Sequence, residues 1–262
     1  MWIYNLNPTL VHLGPLQIRW YGLVYVFGFL LAIWWLSHAR KKRQLDFTED
    51  EIWDLVLYLM LGVLIGSRLF MIFWNPEIYL LKPWNLLFIW QGGMSFHGGF
   101  VGIVTACWMY CRKKKKIFWR VADVLSAPAM LALALGRVAN FINGELVGRV
   151  WNGSWCVVFP DYGDACRHPN MIYSAGERFI VFLWLGWLGI QKEFTPGFIF
   201  WNFVFWEGIG RMAMDFFRED TLYFGFSIGQ WFSLVMVVVA GYMFWKHYIS
   251  DWKRLLKVSS ST

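Results

Sequence analysis

Charge is what this chain has least of. Asp, Glu, Lys and Arg make up 16% of its residues and 58% are hydrophobic, whereas a soluble domain carries about 25% charged residues. That balance excludes an ordinary water-soluble globule. Cysteine and histidine are also sparse, with four and five copies. The histidines are scattered and neither cysteine pair has a matching second pair, so no metal site is expected. Catalytic signatures are missing too: there is no Gly-x-Ser-x-Gly elbow, no P-loop and no His-Glu-x-x-His helix. The chain therefore offers no obvious nucleophile, and one would have to arrive with a substrate. A basic segment ahead of the first apolar run is absent, and Pro8, His12 and Pro15 interrupt that run. No cleavable signal peptide is expected. With no low-complexity tract and no convincing internal repeat, one integral membrane domain over residues 1–262 is the economical reading.

Aromatic residues, by contrast, are abundant. Nineteen tryptophans exceed what core packing needs, and Trp and Tyr gather at membrane–water interfaces. The net charge of +7 does not indicate a nucleic-acid partner, because the basic residues fall in short blocks between apolar segments. Segments of about 20 apolar residues can cross a bilayer. Seven are found, near 19–37, 52–74, 86–111, 119–141, 171–190, 196–216 and 226–246. The expected fold is an all-α bundle of seven transmembrane helices, with a further amphipathic or re-entrant element near 6–18 or 82–92.

Basic blocks orient the bundle. Arg40 to Arg43 follow the first span, Arg112 to Lys116 the third, and Lys246, Lys253, Arg254 and Lys257 the seventh. All three fall on one side of an alternating chain, and the positive-inside rule makes that side cytoplasmic. The N-terminus is then outside, the C-terminus cytoplasmic, and a polar loop of about 143–170 external. Cys156 and Cys166 lie in that loop, where an oxidising compartment would permit a disulfide. Cys107 and Cys111 lie in an apolar segment as thiols with no implied partner.

Ionisable residues inside spans are functional-site candidates by default. The densest group is Leu135 to Arg149, which carries Arg137, Asn140, Asn143, Glu145 and Arg149. Several lie three to four apart and share a helical face. The arginine fork matches phosphate oxygens, and amides can bond headgroup hydroxyls. A non-specific arginine reaching lipid phosphates would explain Arg149 but explains Arg137 poorly. His97 lies within Gly92-Gly93-Met94-Ser95-Phe96-His97-Gly98-Gly99. That run reads either as a tight helix crossing or as a headgroup pocket with His97 as donor or base. Arg211, Asp215 and Arg218 recur on span six. Arg211 and Asp215 either pair with each other or give Arg211 a phosphate and Asp215 an orienting role. Asp123 reads as a structural cap.

These residues resemble the prolipoprotein diacylglyceryl transferase family of bacterial inner membranes. The resemblance is carried by Arg19-Trp20-Tyr21-Gly22, Gly92-Gly93 with His97-Gly98-Gly99, Gly136-Arg137, and Asn140 to Glu145 with Gly148-Arg149. It continues through His168-Pro169 with Tyr173, Arg211 with Phe216 and Arg218, and Gly229-Gln230. It implies transfer of the diacylglyceryl group of phosphatidylglycerol to the lipobox cysteine of a prolipoprotein signal peptide. A thioether forms and glycerol phosphate leaves, without metal, cofactor or nucleic acid. The protein would be multi-pass in the inner membrane, among membrane lipids, with its active site toward the periplasmic leaflet. The resemblance implies catalytic roles for His97, Arg137 and Arg211. Substrate-binding roles fall to Tyr21, Gly98, Asn140, Asn143, Glu145, Gly148, Arg149 and Asp215. His97 is the candidate base and Glu145 the alternative. Two positions and one segment depart from the family pattern: Glu207 replaces a tyrosine, Asp215 replaces a glutamate, and Asn170 to Ser174 replace Ser-Gln-Leu-Tyr-Glu. On sequence grounds Glu207→Tyr is expected to be tolerated. The competing reading is a non-catalytic phospholipid-binding or lipid-handling protein on the same scaffold.

Overall fold

The computed structural model describes residues 2–13, 16–42, 44–88, 95–191 and 194–259. Its helices are α1 (Trp20–Lys41), α2 (Glu49–Leu69), the short α3 (Met71–Trp74) and α4 (Pro76–Leu81), α5 (Phe96–Lys113), α6 (Phe118–Ile142), α7 (Asn170–Ile190), α8 (Phe198–Asp215), α9 (Ile228–His247) and α10 (Ile249–Ser259). Seven of these, among the described residues, overlap the seven apolar segments, α5 only from residue 96 onward. Four helices, Gly22–Lys41, Glu49–Phe73, Phe118–Ile142 and Ile228–His247, are long and apolar enough to cross a membrane. Large apolar side chains face outward. Ile180, Leu183 and Ile190 on α7 and Val235 and Val238 on α9 are more than half exposed, an arrangement suited to lipid and not to water.

The structure corrects three expectations. The third segment does not begin at residue 86: Pro83–Leu87 form a 3-10 turn, and α5 starts at Phe96, capped by the Ser95 hydroxyl. Among the described residues of 6–18 there is no helix in the place of the expected amphipathic or re-entrant element. Instead β2 (Thr9–Leu13) and β3 (Leu16–Arg19) form an antiparallel hairpin. The fold is also not purely helical, because short strands close its loops.

The chain divides into two compact units, Met1–Leu31 with Asp123–Thr262, and Ala32–Ala122. In the smaller unit, α2 starts with a capping box between Thr48 and Glu51. Its glycines then meet those of α5. A Cβ on Gly66 would lie 2.3 Å from the Gly98 carbonyl, and one on Gly102 would lie 2.0 Å from that of Gly62. Only a bare backbone permits this approach, as small-x-x-x-small pairs do in membranes. Buried Arg68 donates to the carbonyls of Asn85, Leu86 and Phe88 at 2.5, 3.0 and 3.2 Å. Those acceptors make it a structural anchor of the 3-10 turn.

In the larger unit, Asp123 accepts from the backbone N–H groups of Gly197 and Phe200 at 2.6 and 2.8 Å. It thereby caps the N-terminus of α8, in agreement with the sequence reading. Tyr248 adds a bond to the Pro196 carbonyl at 3.0 Å. Burial pushes the Tyr248 hydroxyl up to about 12. Further along, α8 packs against α9 where a Cβ on Gly208 would meet Val237 at 2.9 Å.

The polar loop between α6 and α7 is built on β1 (Trp2–Ile3), β4 (Val157–Val158) and β5 (Cys166–Arg167). β1 runs parallel to β4, and β4 antiparallel to β5. A Cys156–Cys166 disulfide spans a Cα separation of 5.5 Å, which realises the sequence expectation. Cys107 and Cys111 are free and buried. The Tyr4 hydroxyl donates to the Ile142 carbonyl at 2.5 Å, tying the N-terminal strand to the end of α6. Before α9, β6 (Leu222–Tyr223) and β7 (Phe226–Ser227) form a second hairpin.

Candidate active site

α6 ends in a polar relay. Arg137 donates to Asn140 Oδ1 at 3.3 Å. The Asn140 and Asn143 amides both donate to Glu145 Oε1, at 2.8 and 3.1 Å. Helical spacing brings Arg137 and Asn140 onto one face, and the turn after Ile142 folds Asn143 and Glu145 back toward it. Among the described residues no carboxylate lies within ion-pair distance of Arg137. Its charge is available to an anion.

α8 supplies the facing wall. Asp215, 5% exposed, meets Arg218 at 3.6 Å and accepts from the Ser227 hydroxyl at 3.1 Å. Arg218 also meets Asp220 at 3.1 Å. Beside this carboxylate lies the Arg211 guanidinium. A Cβ on Gly229 would fall 2.5 Å from Asp215 Oδ2 and 3.2 to 3.3 Å from Arg211 nitrogens. Glycine at 229 leaves the room in which both groups sit.

α7 contributes Arg178, which the sequence reading did not single out, and it pairs with Glu207 of α8, noted there only as a departure from the family pattern. Arg178 is 1% exposed and Glu207 on α8 is 3% exposed. Arg178 donates to Glu207 Oε1 at 2.5 Å and to the Ser174 carbonyl at 3.2 Å. The signal was present in the adjacent Glu177 and Arg178 inside an otherwise apolar span.

These walls enclose a small cavity lined by Arg137, Leu146, Asn170, Met171, Ser174, Arg178, Arg211, Met214, Asp215 and Arg218. Four guanidiniums and one carboxylate converge on it. Clustered cations away from water hold a phosphate or carboxylate far better than they would in solution.

The predicted residues thus separate. Arg137, Arg211 and Asp215 line the cavity, and Asn140, Asn143 and Glu145 form the relay beside it. Gly148 and Arg149 are joints of the external loop. Arg149 donates from its backbone to the Phe217 carbonyl at 2.8 Å and from Nε to the Arg218 carbonyl at 2.6 Å. A Cβ on Gly148 would strike the His168 carbonyl at 2.5 Å. Gly98 belongs to the tight crossing with Gly66. Tyr21 lies on α1 and His97 on α5, but both side chains lie outside the described residues.

An aromatic cluster closes the loop. His168 stacks on Trp151 at 4.3 Å between ring centroids. The Trp155 indole donates to the Tyr173 hydroxyl at 2.7 Å, and that hydroxyl lies 3.2 Å from His168 Nδ1. Burial lowers the His168 pKa and favours the neutral ring.

A family model described as Prolipoprotein diacylglyceryl transferase matches residues 8–246. Several curated relatives named phosphatidylglycerol–prolipoprotein diacylglyceryl transferase align over nearly the whole chain. That of Legionella pneumophila (strain Paris) is 38% identical over 249 residues, covering 92% of this chain and 97% of the relative. That of Geobacter sulfurreducens is 39% identical over 242 residues, covering 90% and 93%. A third, from Aeromonas salmonicida, is 38% identical over 255 residues, covering 94% and 92%. The breadth of the match, together with a guanidinium-lined cavity built from the motif residues, leads to one conclusion: this chain belongs to the prolipoprotein diacylglyceryl transferase family.

Proposed function

We propose that this protein transfers the diacylglyceryl group of phosphatidylglycerol to the lipobox cysteine of a prolipoprotein. The observation that carries the reading is the convergence of Arg137 and Arg211 on one small cavity among apolar helices. In the reaction, the cysteine sulfur attacks the terminal glyceryl carbon of the lipid. The carbon–oxygen bond to phosphate breaks, a thioether forms, and glycerol phosphate leaves. The thiol proton ends on the released phosphate, so the exchange balances without a further reactant.

A thiol is mostly protonated at neutral pH, and a positive field favours its thiolate. Arg137 and Arg211 supply that field and stabilise the charge that builds on the departing phosphate. Two amide donors occupy one oxygen of Glu145, which supports an orienting role in preference to that of base. Asn140 and Asn143 hold the relay toward the headgroup. His97 remains the candidate base, and Tyr21 and Gly98 the candidate contributors to the donor pocket. The chain acts as one integral protein of the bacterial inner membrane. In this reading it has seven spans, its N-terminus and the 143–170 loop are periplasmic, and its C-terminus is cytoplasmic. The basic blocks support that orientation.

The test combines purified protein, phosphatidylglycerol vesicles and a synthetic lipobox peptide, following peptide mass and glycerol phosphate release. A diacylglyceryl mass gain, lost when the peptide cysteine becomes serine, is expected. Folded protein that binds the lipid and yields no gain would shift the reading to a non-catalytic lipid-handling role.

A further inference from the structure

The buried charges on α7 do more than the two-arginine account requires. Arg178 lines the same cavity as Arg137 and Arg211, yet it is the largest of the fully buried side chains among the described residues. Two of its nitrogens are engaged, Nη2 by Glu207 and Nη1 by the Ser174 carbonyl. Its Nε is buried without a hydrogen-bond partner, and so is Glu207 Oε2. A guanidinium N–H left unsatisfied in a membrane interior is costly, and such groups call for an explanation.

The neighbours of Arg178 restrict what it can do. Glu177 Oε2 lies 3.7 Å from Arg178 Nη1, and its carboxylate packs where a Cβ on Gly210 would fall. Arg178 and Glu207, with Glu177 against Gly210, therefore join α7 to α8 within one turn of Arg211. Arg178 and Glu207 cancel in charge, so the pair leaves the positive field of Arg137 and Arg211 unchanged. Arg178 itself lines the cavity, and its Nε N–H is still unsatisfied.

We propose that Arg178 is a third headgroup-binding arginine, which engages the anionic phosphate of the donor lipid through Nε, and that Glu207 is its positioning residue. This rests on the reading of the protein as a phosphatidylglycerol-dependent transferase. A donor contact made equally in the bound lipid and in the transition state shifts KM and leaves kcat. Arg137 and Arg211, which face charge that develops during reaction, affect kcat. The site thus divides into two arginines for chemistry and one for donor affinity.

The test uses full-length protein in detergent micelles containing short-chain phosphatidylglycerol. Removing one partner of a buried pair leaves a bare charge, whereas replacing both by apolar residues is often neutral for stability. R178M/E207L is therefore the informative variant, and R178K, which keeps the charge beside Glu207 but loses Nε, is the second. Both are expected to hold a near-parental melting temperature and to raise the donor KM about 10-fold or more, the range of a lost hydrogen bond to a charged group. Peptide KM and kcat should stay within about 3-fold. A folded R178M/E207L with parental donor KM would overturn the proposal and make the pair purely structural. So would a rise confined to peptide KM. Should the parental protein transfer nothing, the transferase reading fails. Direct binding of the lipid, followed by tryptophan fluorescence, then decides the Arg178 assignment: weaker binding in both variants upholds it and equal binding refutes it.

Discussion

Gly229 occupies the first turn of α9, where alanine would ordinarily favour the helix by up to about 1 kcal/mol. The site opposes that gain. An added Cβ would lie 2.5 Å from Asp215 Oδ2, whereas ordinary contact begins at 3.4 Å. The carboxylate must withdraw by about 1 Å, a misplacement that elsewhere in enzymes costs on the order of 100-fold in rate. Arg211, whose Nη2 and Nε would be 3.2 and 3.3 Å away, must also give by a few tenths of an ångström. Gly229→Ala is therefore expected to keep or slightly raise the melting temperature while lowering kcat for diacylglyceryl transfer about 100-fold. Gly241→Ala is the control. It lies on the same helix with nothing within 4 Å of the new Cβ, and it should leave both quantities unchanged. The assay is peptide mass gain against time, paired with a thermal melt. A Gly229→Ala protein with parental kcat would refute the claim that the Asp215–Arg211 geometry governs the reaction.

Arg137→Ala and Arg211→Ala are each expected to lower transfer by about 100-fold or more, with normal membrane insertion on fractionation. Glu207→Tyr, tolerable on sequence grounds, would leave the Arg178 charge buried without its carboxylate. It should destabilise the fold by about 3–5 kcal/mol, read from a thermal melt. Reducing the Cys156–Cys166 bridge, whose sequence separation is 10 residues, should remove about 2–3 kcal/mol from loop stability, seen as faster proteolysis between α6 and α7. His168 makes a pH prediction with a definite sign. Burial lowers its pKa in the folded protein below the ordinary 6.5, so on acidification the unfolded chain takes up the proton first. Stability contributed above about pH 6.5 is therefore lost as pH falls. In His168→Gln that slope, measured by melts across pH 5–7, should flatten.

Much of the architecture was legible because it depends on local composition. An apolar run of bilayer length must satisfy its backbone internally, so each became a helix, apart from the early start expected of α5. Asp123 was readable as a cap, whereas the glycines around His97 fitted a close crossing and a headgroup pocket equally on local pattern. Arg137 and Arg211 stood out because charge next to apolar sequence is conspicuous. The departures lie where local composition is silent. The 6–18 segment holds enough apolar residues for a membrane-surface element, but Thr9–Leu13 pairs with Leu16–Arg19 as a hairpin. Gly148 and Arg149 sit within a site motif, yet serve the loop that docks on the end of α8.

What the sequence by itself determined is which segments are apolar enough to form long helices, which residues carry charge within them, and the family to which that pattern belongs. Only the tertiary structure decided the partners of those charges. Arg178 and Glu207 are 29 positions apart, and no local rule joins them. Their pairing arises because α7 and α8 pack side by side and exclude water, which leaves each charge the other as its nearest compensation. The same contact turned Glu207, an apparent defect in the family motif, into half of a buried ion pair beside the cavity.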